Sequence, residues 1–266
     1  MNKNAIAAGT FLATALCLPA LAAPSGTPKA GELSFSLSGG PEFVLDGDVH
    51  GGTNAPVANL GALNPSLAGV AATLQIESRD YEDVYGTLYA VQGEFAYGLD
   101  RQSELFGALT YGWADGGRLQ VGGAAVPALN TTLPVFGRFD DYKYWGLDAG
   151  YRYFLTDGGD FHPYVAGRAN VQWVDKINAT FTIPDANIAL NNVRFYGDST
   201  VWGAGLDVGF LWQAAPTLSV GLETGLRYHG DLNDDDADIG GLGLASINNT
   251  GSRWSVPVKA SVRFSF

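Results

Sequence analysis

The sequence predicts an all-β chain: an eight-stranded antiparallel transmembrane β-barrel with short periplasmic turns and long extracellular loops. Three observations predict it. Apolar and polar residues alternate with a period of two in eight segments, the links between those segments alternate between short and long, and no apolar run beyond the N-terminus has the length of a spanning helix. Thirty-six glycines, 12 tyrosines and 14 phenylalanines suit many strands better than helices.

The N-terminus is read first. Lys3 is the only charge before an apolar run from Ala5 to Ala22, and Ala20-Leu21-Ala22 matches the small-x-small cleavage rule, so residues 1–22 read as a secretory signal peptide and 23–266 as the barrel. Pro24 disfavours cleavage one residue later, and Leu16 before Cys17 lacks the small residue of a lipoprotein site. The exported part then holds no cysteine. That excludes a disulfide framework, a thiol nucleophile and Cys metal ligands.

Alternating segments follow at about 32–39, 84–99, 103–114, 142–155, 161–174, 199–213, 216–230 and 253–266. Each has enough residues for, or approaches, the roughly 9 to 11 that a tilted strand needs to cross a bilayer. The links at 100–102, 156–160 and 214–216 are short and carry turn chemistry, whereas 40–83, 115–141, 175–198 and 231–252 are long. A soluble barrel does not need every second link to be long. The final strand puts Trp254, Val256, Val258, Val262, Phe264 and Phe266 on one face and Arg253, Lys259 and Arg263 on the other. In a membrane barrel the apolar set faces lipid and the charges face the lumen.

Export signal, eight alternating strands, alternating links and Val262-x-Phe264-x-Phe266 together resemble the small eight-stranded outer-membrane β-barrel family of Gram-negative bacteria, the OmpA-transmembrane, OmpX and OmpW-like group. The resemblance is architectural and covers the whole exported chain. It implies a monomer in the cell outer membrane, surrounded by lipid and lipopolysaccharide. It also implies that the barrel assembly machinery inserts the chain and reads Phe266 as the assembly signal.

Alternation assigns the inner face. It places Glu94, Glu104, Asp148, Asp207 and Glu223 inward with Arg152, Arg168, Arg227, Lys259 and Arg263, five acids against five bases. An eight-stranded barrel is just wide enough for side chains to fill it, so these charges are expected to form lumen ion pairs. The outward set, with Tyr89, Trp113, Trp145, Tyr151, Trp173, Trp202, Trp212, Tyr228 and Trp254, supplies the aromatic girdles. The segment 146–153 resembles 221–228, each with an acid and an Arg four residues apart; duplication and a shared lipid-out, charge-in solution explain this equally well.

Function is read from what remains. A net charge of −12 argues against nucleic acid as a partner. Asp231, Asn233 and Asp235 reproduce the first three ligand positions of an EF-hand loop, but Asp236 stands where glycine is needed and Leu242 where the closing glutamate belongs. The loop therefore reads as a solvated acidic segment, with a weak Ca or Mg site as the alternative, and no other cofactor is indicated. His50, His162 and His229 show neither metal-ligand spacing nor the His-x-Ser pattern of a lipid A deacylase; His229 beside Asp231 is the one pair worth inspecting. Residues 119–136 and 177–195 alternate enough to continue as hairpins beyond the membrane, offering edges for a partner strand, and the first long link is apolar enough to cap the barrel or meet a greasy ligand. The reading is a non-enzymatic structural or surface-interaction protein with a charge-paired lumen. A narrow porin-like channel for small or hydrophobic solutes is the alternative, and a lipid-modifying enzyme a distant third.

Overall fold

The computed structural model describes residues 27–239, 243–245 and 247–266. The expected signal peptide, and Leu242 of the acidic loop, lie outside the described residues. Strand β1 (Leu33–Asp46) leads into β2 (Asp48–His50), β3 (Thr53–Val57), β4 (Ala72–Ile76), β5 (Arg79–Asp80) and the short helix α1 (Tyr81–Tyr85). Next come β6 (Leu88–Gly98), β7 (Ser103–Ala114), the hairpin β8 (Arg118–Val126) and β9 (Thr131–Phe139), then β10 (Tyr142–Phe154) and β11 (Phe161–Val174). A second hairpin, β12 (Ile177–Ile183) and β13 (Ile188–Tyr196), precedes β14 (Ser199–Ala215), β15 (Leu218–His229) and β16 (Arg253–Ser265).

Eight of these strands close into a barrel in the order β1-β16-β15-β14-β11-β10-β7-β6, every neighbouring pair antiparallel. Closure leaves no unpaired edge, which a membrane core demands because nothing there can satisfy a free N–H or C=O. The faces are inverted relative to a soluble barrel. Trp202 and Leu206 are each 72% exposed on the outer wall while Asp207 beside them is 1% exposed within. The predicted outer-membrane type of barrel is therefore present, with its short links at one end and its long ones at the other.

Two boundaries differ from the sequence reading. Strand β1 continues through Gly39-Gly40-Pro41 to Asp46, where a loop was expected. A Cβ on Gly40 would sit 2.0 Å from the Val258 carbonyl oxygen, so this glycine permits close approach of β1 to β16 and does not mark a turn. The segment expected to begin a strand at residue 84 is instead helix α1, and β6 starts at Leu88. Asp80 caps the helix through the Asp83 N–H at 2.9 Å, Glu82 and Asp83 favour its N-terminus, and Gly86 at φ +61° ends it.

The long links are folded. Six extracellular strands form one sheet in the order β13-β12-β9-β8-β4-β3, so both expected hairpins exist. Their flanking edges are used, however, because β8 pairs with β4 and β9 with β12. Even the outer strand β13 is met by the last connection, through a Tyr196–Asp234 bridge and an Asp235 N–H to Phe195 C=O bond of 3.2 Å. Few edges are left for a partner strand. One apolar core joins this cap to the barrel mouth, running from Val121, Phe195 and Ile177 down to Leu88, Tyr142 and Val201.

Inward glycines make room in the tube. A Cβ on Gly150 would lie 2.3 Å from Phe106 Cζ and 2.5 Å from the Gly167 carbonyl oxygen. Gly150→Leu is expected to destabilise the barrel by about 1–3 kcal/mol or to prevent folding, whereas Ala149→Leu, on the exposed face of the same strand, leaves stability unchanged. Urea unfolding in lipid vesicles, with heat-modified gel mobility as the folding readout, checks both; equal behaviour of the two variants would contradict the face assignment.

Candidate functional site: the charged lumen and its cap

Alternation along each strand delivers all ten predicted charges to the interior, where every one is buried. They sort into layers. Nearest the short turns, Arg263 on β16 grips Glu104 on β7 with both forks, Nη1 to Oε1 at 2.9 Å and Nη2 to Oε2 at 2.6 Å. Arg152 on β10 joins the same carboxylate and pairs with Glu94 on β6 at 2.9 Å. Its guanidinium lies between the rings of Phe106 and Tyr164, 4.8 and 4.7 Å from their centroids. A planar, weakly hydrated cation tolerates that sandwich where an ammonium would not.

The middle layer centres on Arg168 of β11. It bonds Asp207 through Nε, reaches Glu223 Oε1 at 2.9 Å and lies 3.6 Å from Asp148 Oδ1. Tyr164 Oη donates to the second Glu223 oxygen at 3.1 Å, and Thr110 Oγ1 donates to Asp148 at 2.8 Å. Arg227 is held more loosely, 3.4 Å from Asp207 and 3.5 Å from Glu223. Lys259 departs from its predicted role. It donates to Gln92 Oε1 at 2.6 Å, and among the described residues no carboxylate lies within ion-pair distance of it.

A third layer lies at the mouth: the sequence reading put Arg253 on the charged face of the last strand without counting it among the ion pairs, and it missed Glu42. Glu42 and Arg253 are 2% and 1% exposed, which raises the inward set to six acids and six bases. Glu42 accepts from Ser255 Oγ at 2.7 Å. Arg253 donates to Tyr142 Oη at 2.6 Å and to Gln172 Oε1 at 3.3 Å, with its guanidinium 4.9 Å from the Tyr142 ring centre and 5.5 Å from that of Tyr81. The signal was available: Glu42 has the parity of the inward Ser34 and Ser36, and Arg253 that of Lys259 and Arg263. The Gly39-Gly40-Pro41 break concealed the first.

The histidines do not assemble a reactive centre. His229, expected beside Asp231, points inward and its Nε2 meets the side-chain amides of Asn170 and Gln172 at 3.1 and 2.9 Å. Asp231 instead accepts from the Ser252 N–H at 3.0 Å. His162 is buried near the short turns, at the opposite end of the strand pair. His50 belongs to the cap, stacked on Phe139 with ring centres 5.7 Å apart, and burial holds its imidazole below the ordinary pKa.

In the acidic loop, Asp231, Asn233 and Asp235 do not converge. Asn233 donates through Nδ2 to the Asp198 carbonyl at 2.9 Å, and Asp235 caps the Ala237 N–H at 3.0 Å. Asp238 forms a two-oxygen fork with Arg194 of β13, at 3.1 and 3.0 Å. Among the described residues no three His, Cys, Asp or Glu side chains gather as a metal-ligand set. Phe266 lies at the lipid face, 55% exposed, its N–H bonded to the Leu33 carbonyl at 2.9 Å.

No family model and no curated protein matches the chain. Among solved structures it is similar to Neisserial surface protein A, at 14% identity over 88% of this chain and 97% of that one, with a TM-score of 0.39. The outer membrane protein OprG from Pseudomonas aeruginosa matches at 13% identity over 90% and 98%, with a TM-score of 0.39. The outer membrane protease OmpT from Escherichia coli matches at 9% over 88% and 97%, with a TM-score of 0.34. At such scores the architecture rests on this chain's own strand pairing.

The unequal grip on the two middle arginines is testable. Removing one partner of a buried ion pair costs about 3–5 kcal/mol, so Arg168→Met, which abandons three carboxylates, should approach that loss in vesicle unfolding. Arg227→Met should cost markedly less. Adding Asp207→Asn to Arg168→Met should recover part of the stability, and no recovery would mean that packing, and not charge, sets the effect.

Proposed function

We propose that this outer-membrane barrel is a non-enzymatic surface protein, a monomer set among lipid and lipopolysaccharide, whose folded cap meets the exterior while its lumen stays closed. One observation carries the reading. The space left between Glu94, Arg152, Glu223 and Lys259 is about 20 Å³, room for a single water molecule. The ion pairs around it tie walls that are not neighbours, β7 to β16 and β11 to β15. Above them the mouth is roofed by the apolar core of the cap.

The dispersed histidines support the non-enzymatic part. The hydrogen bonds made by Asn233, Asp235 and Asp238 support reading the acidic loop as a clasp that pins β13 and β14, in preference to a calcium or magnesium site. Insertion is assigned to the barrel assembly machinery, as for other outer-membrane barrels.

A channel makes the opposite prediction, so conductance decides. Purified protein reconstituted in planar bilayers is expected to show no steady open level, and simultaneous loss of Arg168 and Arg263 (Arg168→Ala with Arg263→Ala) is expected to introduce one. A stable single-channel conductance in the unmodified protein would replace this reading with the porin-like one.

A further inference from the structure

The cap holds a cavity of about 50 Å³ that the plugged barrel does not use. Its walls come from all four long links, with Leu74 on β4, Val135 on β9, Phe181 and Ile183 on β12, and Val193 and Phe195 on β13 among them. Among the described residues, His50 is the only polar side chain in the lining. Its Nδ1 donates to the Gly51 carbonyl at 3.1 Å, its ring stacks on Phe139 and meets Phe195 edge-on, and burial holds its pKa below the ordinary imidazole value. The cavity is thus walled by hydrocarbon and one neutral ring.

That chemistry restricts the occupant. Water needs two to four polar partners to be held in a cavity, and apolar cavities stay dry and take small apolar molecules instead. Ions and zwitterions are excluded by desolvation. Leu63, Ile76, Phe181 and Leu190 in the lining are only half-buried, so each of them also meets solvent on the outside of the cap. The lumen ion pairs lie on the far side of the Tyr142–Arg253 contact, so the cavity is separate from any path through the barrel.

We propose that the extracellular cap binds a small uncharged apolar particle, the size of a xenon atom or a one- or two-carbon alkane, in this cavity at the cell surface. The site makes the cap a capture element and assigns the barrel the role of anchor.

Xenon serves as the probe on the full chain in detergent micelles. The reference is Leu74→Trp, which fills the cavity, so that partitioning into the micelle cancels. A saturable ¹²⁹Xe shift is expected in the unmodified protein and lost in Leu74→Trp. Equal, non-saturable signals in both proteins would reduce the cavity to a packing void and overturn the proposal. Should Leu74→Trp fail to fold, xenon-pressurised crystals of the unmodified protein decide the matter: a xenon peak between Val135 and Phe195 sustains the site, and an empty cavity overturns it.

Discussion

Everything in this structure follows from turning a barrel inside out while leaving little room for water within it. A charge in a tube of eight strands has lost its hydration, and only an opposite charge or a hydrogen-bonding neighbour can replace it. Five of the six inward bases are arginines. The choice is physical: a planar fork can bridge two carboxylates and still lie against an aromatic ring, as Arg152 does between Phe106 and Tyr164. The single lysine donates to an amide oxygen, as Arg253 also does, while the other four arginines reach carboxylates. Glycine completes the arrangement, since a Cβ on Gly205 would stand 3.0 Å from Arg227 Cγ and 3.5 Å from Arg168 Cγ.

Outside the membrane the ordinary rule returns. The four long links share too much apolar surface to remain solvated, and they bury it above the mouth, three by pairing into one sheet and the fourth by packing Leu232, Ile239, Leu244 and Ile247 into the same core. Arg253 marks the frontier between the two regimes. Below it lie amides and ion pairs; above it lie the rings of Tyr81 and Tyr142, which accept a cation on their faces while presenting hydrocarbon to the cap. A single side chain thus joins the polar filling of the barrel to the apolar core of the cap, and the two parts close each other.

The barrel was legible because its rule is local. A period of two reads directly from neighbouring residues, so the inward charges and the outward aromatics could be assigned without knowing any strand partner. Turn chemistry misled at Gly39-Gly40-Pro41, where glycine serves strand approach, and a capped helical turn hid inside the apparent start of β6. The cap sheet was illegible for a different reason. Its hairpins were visible, but the pairings of β4 with β8 and of β9 with β12 join residues far apart in sequence, and nothing local specifies them. The same holds for the partners within the lumen: alternation says that Lys259 points inward, and only the barrel's register says that Gln92 and no carboxylate awaits it.

This division between local and non-local information bears on where function resides. The tie between Arg263 and Glu104 crosses from β16 to β7, and that between Arg152 and Glu223 at 3.8 Å crosses from β10 to β15, so the network braces the wall across its diameter. A solute passing through would have to break such ties in succession, each in a space that offers no water in exchange. A barrel braced in this way is a rigid support. What it supports is the cap, whose strands, apolar cavity and acidic clasp are exposed to the exterior and free of the constraints that lipid and lumen impose on the wall. The evenly balanced charges beneath the extracellular sheet are thus the condition for holding that sheet in place.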